Sequence, residues 1–403
     1  MERIILHIDV NNAFLSWTAL YLLNQGYKYD IRNSYAVVGG DETKRKGIVL
    51  AKSNSCKKLG IVTGETLYSA RKKCQVLKVY QPNYEFYQMM SKKLFELLGK
   101  YTDEIEIFSI DECFFDYTHI KHLHGDEVAF AHKLKDEIYE KLGFTVNIGV
   151  ANNKLCAKMA SDFLKPNRVH TLYDFEVETK MYPLPIEDLF GIGKKTAPKL
   201  RKININTIGD LANSNEYELY KYFKNSAIKM IESAKGIDES PVKKIRDEAK
   251  GIGNSVTLER DYDDKVEIYK VLEELSDNVT RSLRNQKKYA YVISVQIKDC
   301  YFNNKQHQMK LVNATDVSDV VFKTSKKLFD EMWDLTPIRL IGVRLDKLVN
   351  VSNVQVSLFE NIKTDEEAKE LQSTLDKLQE KYGSAIIKKA SLTGKTISKK
   401  YLK

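Results

Sequence analysis

Three acidic residues directly follow short apolar runs in the first third of the chain. Asp9 comes after Ile4–Ile8, and the adjacent pair Asp111 and Glu112 comes after Ile105–Ile110. Neighbouring carboxylates repel each other and lose hydration when buried, so a cation usually compensates them. Carboxylate oxygens suit Mg²⁺, which keeps several waters and takes other ligands from substrate phosphates. The acids alone leave a divalent-metal site and a surface charge cluster equally open, and Asp9 could instead cap the following helix.

Two strands and a turn must position these acids. Ile4–Ile8 predicts a buried strand that ends at Asp9,. Ile105–Ile110 and Cys113–Phe115 predict two strands joined by a tight connection. Because successive strand residues point to opposite faces, the adjacent pair Asp111 and Glu112 can reach one site only where the chain turns.

The other periodic segments predict an α+β multidomain protein. Apolar spacing predicts helices at about 11–26, 55–59, 66–74, 84–101 and 128–142, and strands at about 35–38, 48–51 and 145–150,. Since these strands and helices do not alternate strictly, an α+β sheet domain is favoured. From Leu184 the pattern changes to short helices and glycine turns.

The last third predicts a separate small domain. Residues 236–250 are polar, contain Pro241 and predict a linker,. From Gly251 the order is strand to about 258, helix 266–284, strand 289–297, strand 308–313, helix 317–335 and strand 338–345. This β-α-β-β-α-β order is a complete domain. The tail from 348 contains one apolar pentapeptide and a predicted charged helix at about 365–382.

Composition excludes some classes of protein. The 403 residues carry a net charge of +9, which suits a phosphate-rich partner slightly better than none,. The five cysteines are scattered without a CxxC pair and predict reduced thiols, not a zinc site,. No membrane-spanning apolar run and no secretory leader pattern is present, so we expect a cytoplasmic protein without a membrane partner.

The residues around the acids resemble the Y family of translesion DNA polymerases, the DinB/UmuC group, and most closely its bacterial members. The matching segments follow the family order through about residue 350: the palm motifs His7–Phe14 and Ser109–Glu112, the block Ile148–Ser161 with Lys165–Asn167, the thumb segment Gly191–Thr196, and the little-finger opening Gly251–Leu258. Several separated motifs in the right order make the resemblance specific.

The resemblance implies a magnesium-dependent nucleotidyl transfer. Asp9, Asp111 and Glu112 would be the catalytic acids and, with the Val10 carbonyl, would hold two Mg²⁺ ions, for which Mn²⁺ can substitute. One ion would activate the primer 3′-hydroxyl, and the other would neutralise the triphosphate and the leaving pyrophosphate. The family's common third palm acid is Asn11 in this chain, and it is not a required ligand.

The resemblance also implies nucleotide contacts. Phe14 stands at the position of the steric gate, where a ring beneath the sugar collides with a 2′-hydroxyl. Lys165 matches the lysine that contacts the triphosphate. Where many relatives carry a triphosphate-binding Tyr and Arg, this chain has Asn54 and Lys57, which offer one hydrogen bond and a point charge instead of a bidentate fork. Asn12 and Ala13 complete the expected nucleotide-binding set.

Contacts to DNA and to a clamp are the remaining expectations. Gly191 and Gly193, followed by Lys194 and Lys195, resemble a helix-hairpin-helix turn whose backbone N–H groups and lysines approach a DNA phosphate,. In the tail, the segment 355–359 resembles the peptide that binds the bacterial sliding clamp, with Gln355 and the apolar anchors Leu358 and Phe359,.

The implied organisation is a right-hand polymerase. Its parts are palm 1–20 and 80–167, fingers 21–79, thumb 168–235, linker 236–250, little finger 251–347 and tail 348–403. The implied function is low-fidelity translesion DNA synthesis by a monomer on primer-template DNA with dNTPs, in DNA repair and the SOS response to damage. A UmuC-type subunit that needs accessory proteins is the alternative, and intact acids argue against a non-catalytic DNA-binding relative.

Overall fold

The computed structural model describes residues 3–45, 47–244, 248–350, 374–378 and 381–382. The chain divides into two compact units, Met1–Glu42 with Lys46–Arg246 and Thr43–Arg45 with Asp247–Lys403. Both mix helices with mostly antiparallel sheets, which confirms the α+β multidomain class.

The regular elements follow in chain order. The strands are β1 (Ile5–Val10), β2 (Ala36–Gly39), β3 (Val49–Lys52), β4 (Lys78–Tyr80), β5 (Ile105–Ile107), β6 (Glu112–Asp116), β7 (Val146–Ala151), β8 (Val169–Thr171), β9 (Gly251–Tyr262), β10 (Tyr289–Asp299), β11 (Asn304–Thr315) and β12 (Ile338–Val349). The helices are α1 (Ala13–Asn24), α2 (Asn54–Lys58), α3 (Leu67–Lys73), α4 (Tyr84–Leu98), α5 (Lys121–His124), α6 (Glu127–Leu142), α7 (Lys154–Asp162), α8 (Ala197–Arg201), α9 (Ile208–Ala212), α10 (Glu216–Phe223), α11 (Ser226–Ala234), α12 (Lys265–Asn285) and α13 (Ser318–Met332).

The first unit contains a five-stranded sheet in the order β5-β6-β1-β7-β8. Leu6, Ile8 and Val10 of β1 belong to the core that this sheet forms with α1, α4 and α6. Because side chains alternate along a strand, His7 and Asp9 point to the opposite face. The predicted strand is therefore confirmed, although it continues one residue past Asp9.

The neighbouring strand β6 obeys the same alternation. Cys113 and Phe115 belong to the core beneath the sheet, so Glu112 and Phe114 share the face of Asp9,. The predicted turn is confirmed, because β5 ends at Ile107 and β6 begins at Glu112.

Helix α7 covers the face of the sheet that carries the acids, and it does so at close range. An added Cβ on Gly149 of β7 would lie 1.9 Å from the Ala157 carbonyl oxygen and 2.5 Å from the Ser161 nitrogen. Only glycine leaves room for this approach. Ser161 is thereby brought into contact with His7 of β1, and Lys158 reaches Glu112 of β6.

The sequence patterns did not predict α7, β4 or β8. The two strands have three residues each, which is too short for a periodic signal,. Strand β4 pairs in parallel with β2 in a second sheet of order β3-β2-β4, and β8 pairs in parallel with β7. Both complete sheets through contacts that are distant in sequence.

The short helices α8–α11 pack on the outer side of α7. Residues such as Leu189, Leu200 and Leu211 share one apolar core with Leu155 and Met159 of α7. The predicted change to short helices after Leu184 is confirmed. The common core joins this helical segment to the sheet domain.

Residues 236–244, the first part of the predicted linker, contain no helix or strand. They are nevertheless bound along the sheet domain. Arg3 donates to the Ser240 carbonyl at 2.8 Å, Asn153 donates to the Gly236 carbonyl at 2.8 Å, and the Lys243 nitrogen donates to Glu106 at 2.8 Å. The irregular structure is confirmed, and its fixed path was not predicted.

The second unit has the predicted β-α-β-β-α-β order. Its sheet runs β11-β10-β12-β9 with antiparallel neighbours, and α12 and α13 contribute to its core. Strands β9, β11 and β12 are longer than predicted, because their outer residues lack apolar alternation. Of the predicted tail helix, the described residues 374–378 and 381–382 are helical.

All five cysteines are free, as the scattered spacing predicted. Four of them are buried, namely Cys56, Cys74, Cys113 and Cys156. Across the described ranges, none of the helices combines the length and the apolar character that crossing a membrane requires.

Candidate active site

The three acids meet where β1 and β6 pair. Asp9 lies opposite Glu112 in the antiparallel register, and the Val10 nitrogen donates to the Asp111 carbonyl at 3.0 Å. The turn is closed by the nitrogens of Phe108 and Ser109, which both donate to the Glu112 carbonyl at 3.1 Å. The turn therefore places Asp111 beside the paired residues, as the sequence predicted.

Asp9 is largely buried, with 15% of its side chain exposed. Its carboxylate accepts a hydrogen bond from the Lys165 ammonium, which also contacts Asp162 at 2.7 Å. Burial nevertheless raises the pKa of Asp9, because Lys165 offsets only part of the lost hydration,. This carboxylate would thus be stabilised by a stronger cation.

Glu112 is held through one of its two oxygens. Oε2 lies 2.6 Å from the Lys158 ammonium and 3.3 Å from His7 Nε2, which is not aligned for a hydrogen bond. Oε1 has no hydrogen bond or ion pair in the described part of the chain. Desolvation acts to raise the pKa of Glu112, but His7 and Lys158 outweigh it and lower that pKa to about 2.

Two lysines and a further acid, Asp162, connect Glu112 to Asp9 through alternating charges, and the pairing of β1 with β6 closes the ring. Lys158 lies 4.0 Å from Asp162, which also pairs with Lys165. The order is Glu112, Lys158, Asp162, Lys165 and Asp9. We call these five residues the carboxylate–lysine ring. Asp162 and Lys158 were not predicted as site residues, since neither type nor spacing distinguishes them from other charged helix residues.

The donor chemistry fits a divalent cation. Asp9 is incompletely compensated, Glu112 presents a free Oε1, and Asp111 accepts from Ser109 Oγ through Oδ1 at 2.5 Å,. However, no group of three His, Cys, Asp or Glu side chains is arranged to hold a metal ion among the residues described. One ion could be shared by the three acids only after their side chains rotated.

Lys165 is positioned by a buried amide network. Asn147, opposite Asp9 on β7, accepts at Oδ1 from Asn11 Nδ2 at 3.1 Å and from the Arg168 nitrogen at 3.2 Å. Its Nδ2 donates to the carbonyls of Ser161 at 3.0 Å and Leu164 at 2.7 Å. All four hydrogen-bonding positions of this amide are used.

Asn11 has a structural role in the same network. Its Oδ1 accepts from the Asn167 nitrogen at 2.8 Å, so it ties down the segment that carries Lys165. Asn11 is buried, and its neutral amide makes these contacts without burying a charge. The sequence placed Asn11 beside the site but did not predict this contact.

Phe14 lies in the first turn of α1. Its ring stacks on Tyr87 with the centres 4.7 Å apart and the planes 14° apart, and it meets Tyr84 edge-on at 6.1 Å. Tyr87 is fully buried and bonded to Thr18, so it is a fixed support for the half-buried Phe14 ring,.

Asn12 and Ala13 lead from β1 into α1. Asn12 adopts a left-handed backbone with φ of 48°, and Ala13 is buried. Asn54 and Lys57 are exposed on α2 and have no hydrogen bond or ion pair to the three acids within the described residues. The structure thus groups Asp9, Val10, Asp111, Glu112 and Lys165 but does not link α2 to them.

The glycine turn before α8, residues 191–195, is exposed except at Ile192. Gly191 has φ of +93°, which favours glycine, while Ile192 is buried in the shared core,. Gly193, Lys194 and Lys195 are exposed. The tail residues Gln355, Leu358 and Phe359 lie outside the described residues.

Comparisons with known proteins agree along the chain. Residues 8–162 match the impB/mucB/samB family, residues 249–358 match the C-terminal domain of that family, and residues 176–205 match the IMS family HHH motif. DNA polymerase IV of Clostridium acetobutylicum is 45% identical over 98% of this chain and 99% of its own length. DNA polymerase IV 1 of Bacillus subtilis is 32% identical over 99% of this chain and 95% of its own length.

The chain belongs to the impB/mucB/samB family of Y-family DNA polymerases. A solved Y-family DNA polymerase chimera has the same fold, with a TM-score of 0.75 and 26% identity over 86% of this chain and 99% of the other. The predicted fold and function are confirmed: this is a DNA-directed DNA polymerase of the DinB type that acts in translesion synthesis. It binds primer-template DNA and nucleotides, and its activity depends on divalent metal ions.

Replacing Asn147 with Ala should lower the free energy of unfolding by about 2–4 kcal/mol, because several buried polar partners lose their hydrogen bonds. Chemical denaturation measures the change. Asn213→Ala is the matched control, since Asn213 is exposed and makes one bond to the Gly209 carbonyl at 2.9 Å. Equal stability of the two variants would show that the amide network does not hold the Lys165 segment.

Proposed function

We propose that this polymerase extends a primer with two Mg²⁺ ions held by Asp9, Asp111, Glu112 and the Val10 carbonyl, and that Mn²⁺ can substitute. The pairing of the largely buried Asp9 with Glu112 carries the proposal, because it places two carboxylates on one face of the sheet, and Asp9 is incompletely compensated. When bound, the ions supply positive charge to the primer hydroxyl and to the triphosphate.

The chain's own residues orient the reacting groups. Lys158 fixes Glu112 through Oε2, so Oε1 is the oxygen available to a ligand. Lys165 lies beside Asp9 and can contact the phosphates of an incoming nucleotide,. Asn12, Ala13, Asn54 and Lys57 are the further nucleotide contacts that we propose from the family resemblance.

We propose that Phe14 selects the sugar. The rigid Tyr87 beneath its ring supports this role, because a ring that cannot retreat excludes a 2′-hydroxyl,. Selection by exclusion needs a fixed wall, and Phe14 packs on one.

DNA contacts away from the reaction are proposed for the exposed turn. The backbone N–H groups of Gly191 and Gly193, together with Lys194 and Lys195, can approach a phosphate, and the matched HHH motif spans them,. We further propose that residues 1–20 and 80–167 act as palm, 21–79 as fingers, 168–235 as thumb and 251–347 as little finger, in a monomer that repairs DNA in the bacterial cytoplasm during the SOS response.

Asp111→Ala should reduce primer extension by more than about a hundredfold while DNA affinity stays unchanged, because a proposed metal ligand is lost and no DNA contact is. Extension by the purified chain on damaged and undamaged templates measures this, and an inactive wild-type chain would favour the accessory-dependent alternative. Glu140→Ala on the exposed side of α6 is the control. Wild-type extension by Asp111→Ala would remove Asp111 from the proposal.

Phe14→Ala should raise ribonucleotide incorporation relative to dNTP by at least about tenfold, because the wall beneath the sugar is removed. Single-nucleotide extension with matched rNTP and dNTP measures the ratio. Phe175→Ala removes an equal ring that is 81% exposed and should leave the ratio unchanged. Unaltered sugar selection in Phe14→Ala would mean that another residue is the gate.

Replacing both Leu358 and Phe359 with Ala should weaken clamp binding by about thirtyfold, as expected for apolar anchors in a pocket. Processivity with and without the sliding clamp measures the loss, and the intrinsic activity without the clamp should not change. Val356→Ala with Ser357→Ala is the control pair within the same peptide. If clamp-dependent processivity survives the Leu358 and Phe359 changes, this peptide is not the clamp ligand.

A further inference from the structure

The two lysines of the carboxylate–lysine ring are held in different ways. Lys158 is 9% exposed, and its ammonium lies 5.5 Å from the centre of the Phe190 ring and 6.0 Å from that of Phe108. Aromatic faces on one side and Glu112 on the other leave this ammonium little freedom. Lys158 is therefore a fixed counter-ion.

Lys165 is not fixed in this way. It follows the end of α7, 34% of its side chain is exposed, and it has two acceptors, Asp9 and Asp162. Asp162 is half exposed, whereas Asp9 is largely buried. Lys165 can therefore lose Asp9 and keep Asp162 without leaving its charge unpaired.

Asp9 cannot serve a metal ion and Lys165 together through the same oxygen. Lys165 binds Asp9 at Oδ2, and the two positive charges would repel each other at that range,. A divalent cation that binds Asp9 through Oδ2, or through both of its oxygens, therefore displaces this ammonium,.

We propose that Lys165 is an exchangeable counter-ion that occupies Asp9 until a divalent cation binds, and that Asp162 is the positioning residue that receives it. The inference rests on the proposed role of Asp9 as a metal ligand. In the metal-free protein Lys165 partly compensates the Asp9 carboxylate. The apparent affinity for the ion is then the intrinsic affinity multiplied by the fraction of protein in which Asp9 is free.

The exchange also links the metal to the nucleotide. An incoming triphosphate offers Lys165 another anion, so binding of either ligand draws the ammonium away from Asp9. The same displacement then favours the second ligand. Asp162 sets how easily this occurs.

Mn²⁺ binding to the full chain without DNA or nucleotide tests the exchange, with free Mn²⁺ measured by electron paramagnetic resonance. Lys165→Met should tighten Mn²⁺ binding by about three- to fivefold, because this is the change in affinity that corresponds to losing a partly exposed ion pair. Lys154→Met on α7 is the control with the same change of charge, because Lys154 pairs with Glu106 at 2.7 Å and not with the ring. It should change the affinity less than about twofold.

A double-mutant cycle separates exchange from a general effect of charge. Asp162→Asn should weaken Mn²⁺ binding in the wild-type background, because the displaced ammonium loses its acceptor. In the Lys165→Met background the same change should have no effect, since there is no ammonium to receive. Thermal melting of each variant checks that it is folded.

Two results would overturn the proposal. Unchanged Mn²⁺ affinity in Lys165→Met would show that Lys165 does not compete with the ion for Asp9. Equal effects of Asp162→Asn in both backgrounds would show that Asp162 acts on the ion through its charge alone and not through Lys165. Asp9→Asn shows whether the proposed metal site or only the proposed exchange is wrong. If it abolishes Mn²⁺ binding while Lys165→Met has no effect, the metal site stands and the exchange fails, whereas unchanged binding in Asp9→Asn removes the metal site itself.

Discussion

The antiparallel register of β1 and β6 is the constraint on which the site depends. It sets Asp9 opposite Glu112 on the face away from the main core, and the turn before β6 adds Asp111. A shift of one residue would move Asp9 into the core and its apolar neighbours out of it. The apolar alternation that stabilises the sheet therefore also determines where the acids stand.

Helix α7 supplies the charge that this arrangement requires. Gly149 lets the helix approach the sheet, and Lys158 then reaches Glu112 while Asp162 lies between the two lysines. Paired, partly buried charges cost less than isolated ones, so Lys158 lowers the cost of burying Glu112,. Lys165 adds a second positive charge beside Asp9, from a segment that is held by the Asn147 amide.

Much of this was predictable from sequence. The strand before Asp9, the turn at Asp111 and the β-α-β-β-α-β order depend on local periodicity, and the separated motifs identified the family. The counter-ions were not predictable, because Lys158 and Asp162 become site residues only through the packing of α7 on Gly149. The three-residue strands β4 and β8 were missed for the same reason, since their partners are distant in sequence.

A crystal structure of the polymerase with primer-template, a non-hydrolysable dNTP and Mn²⁺ tests the central claim most directly through the anomalous signal of the ion. The account predicts Mn²⁺ within about 2.3 Å of oxygens from Asp9, Asp111 and Glu112, with the Lys165 ammonium withdrawn from Asp9. Anomalous peaks that avoid these three carboxylates, or an ammonium that still occupies Asp9 beside a bound ion, would contradict it.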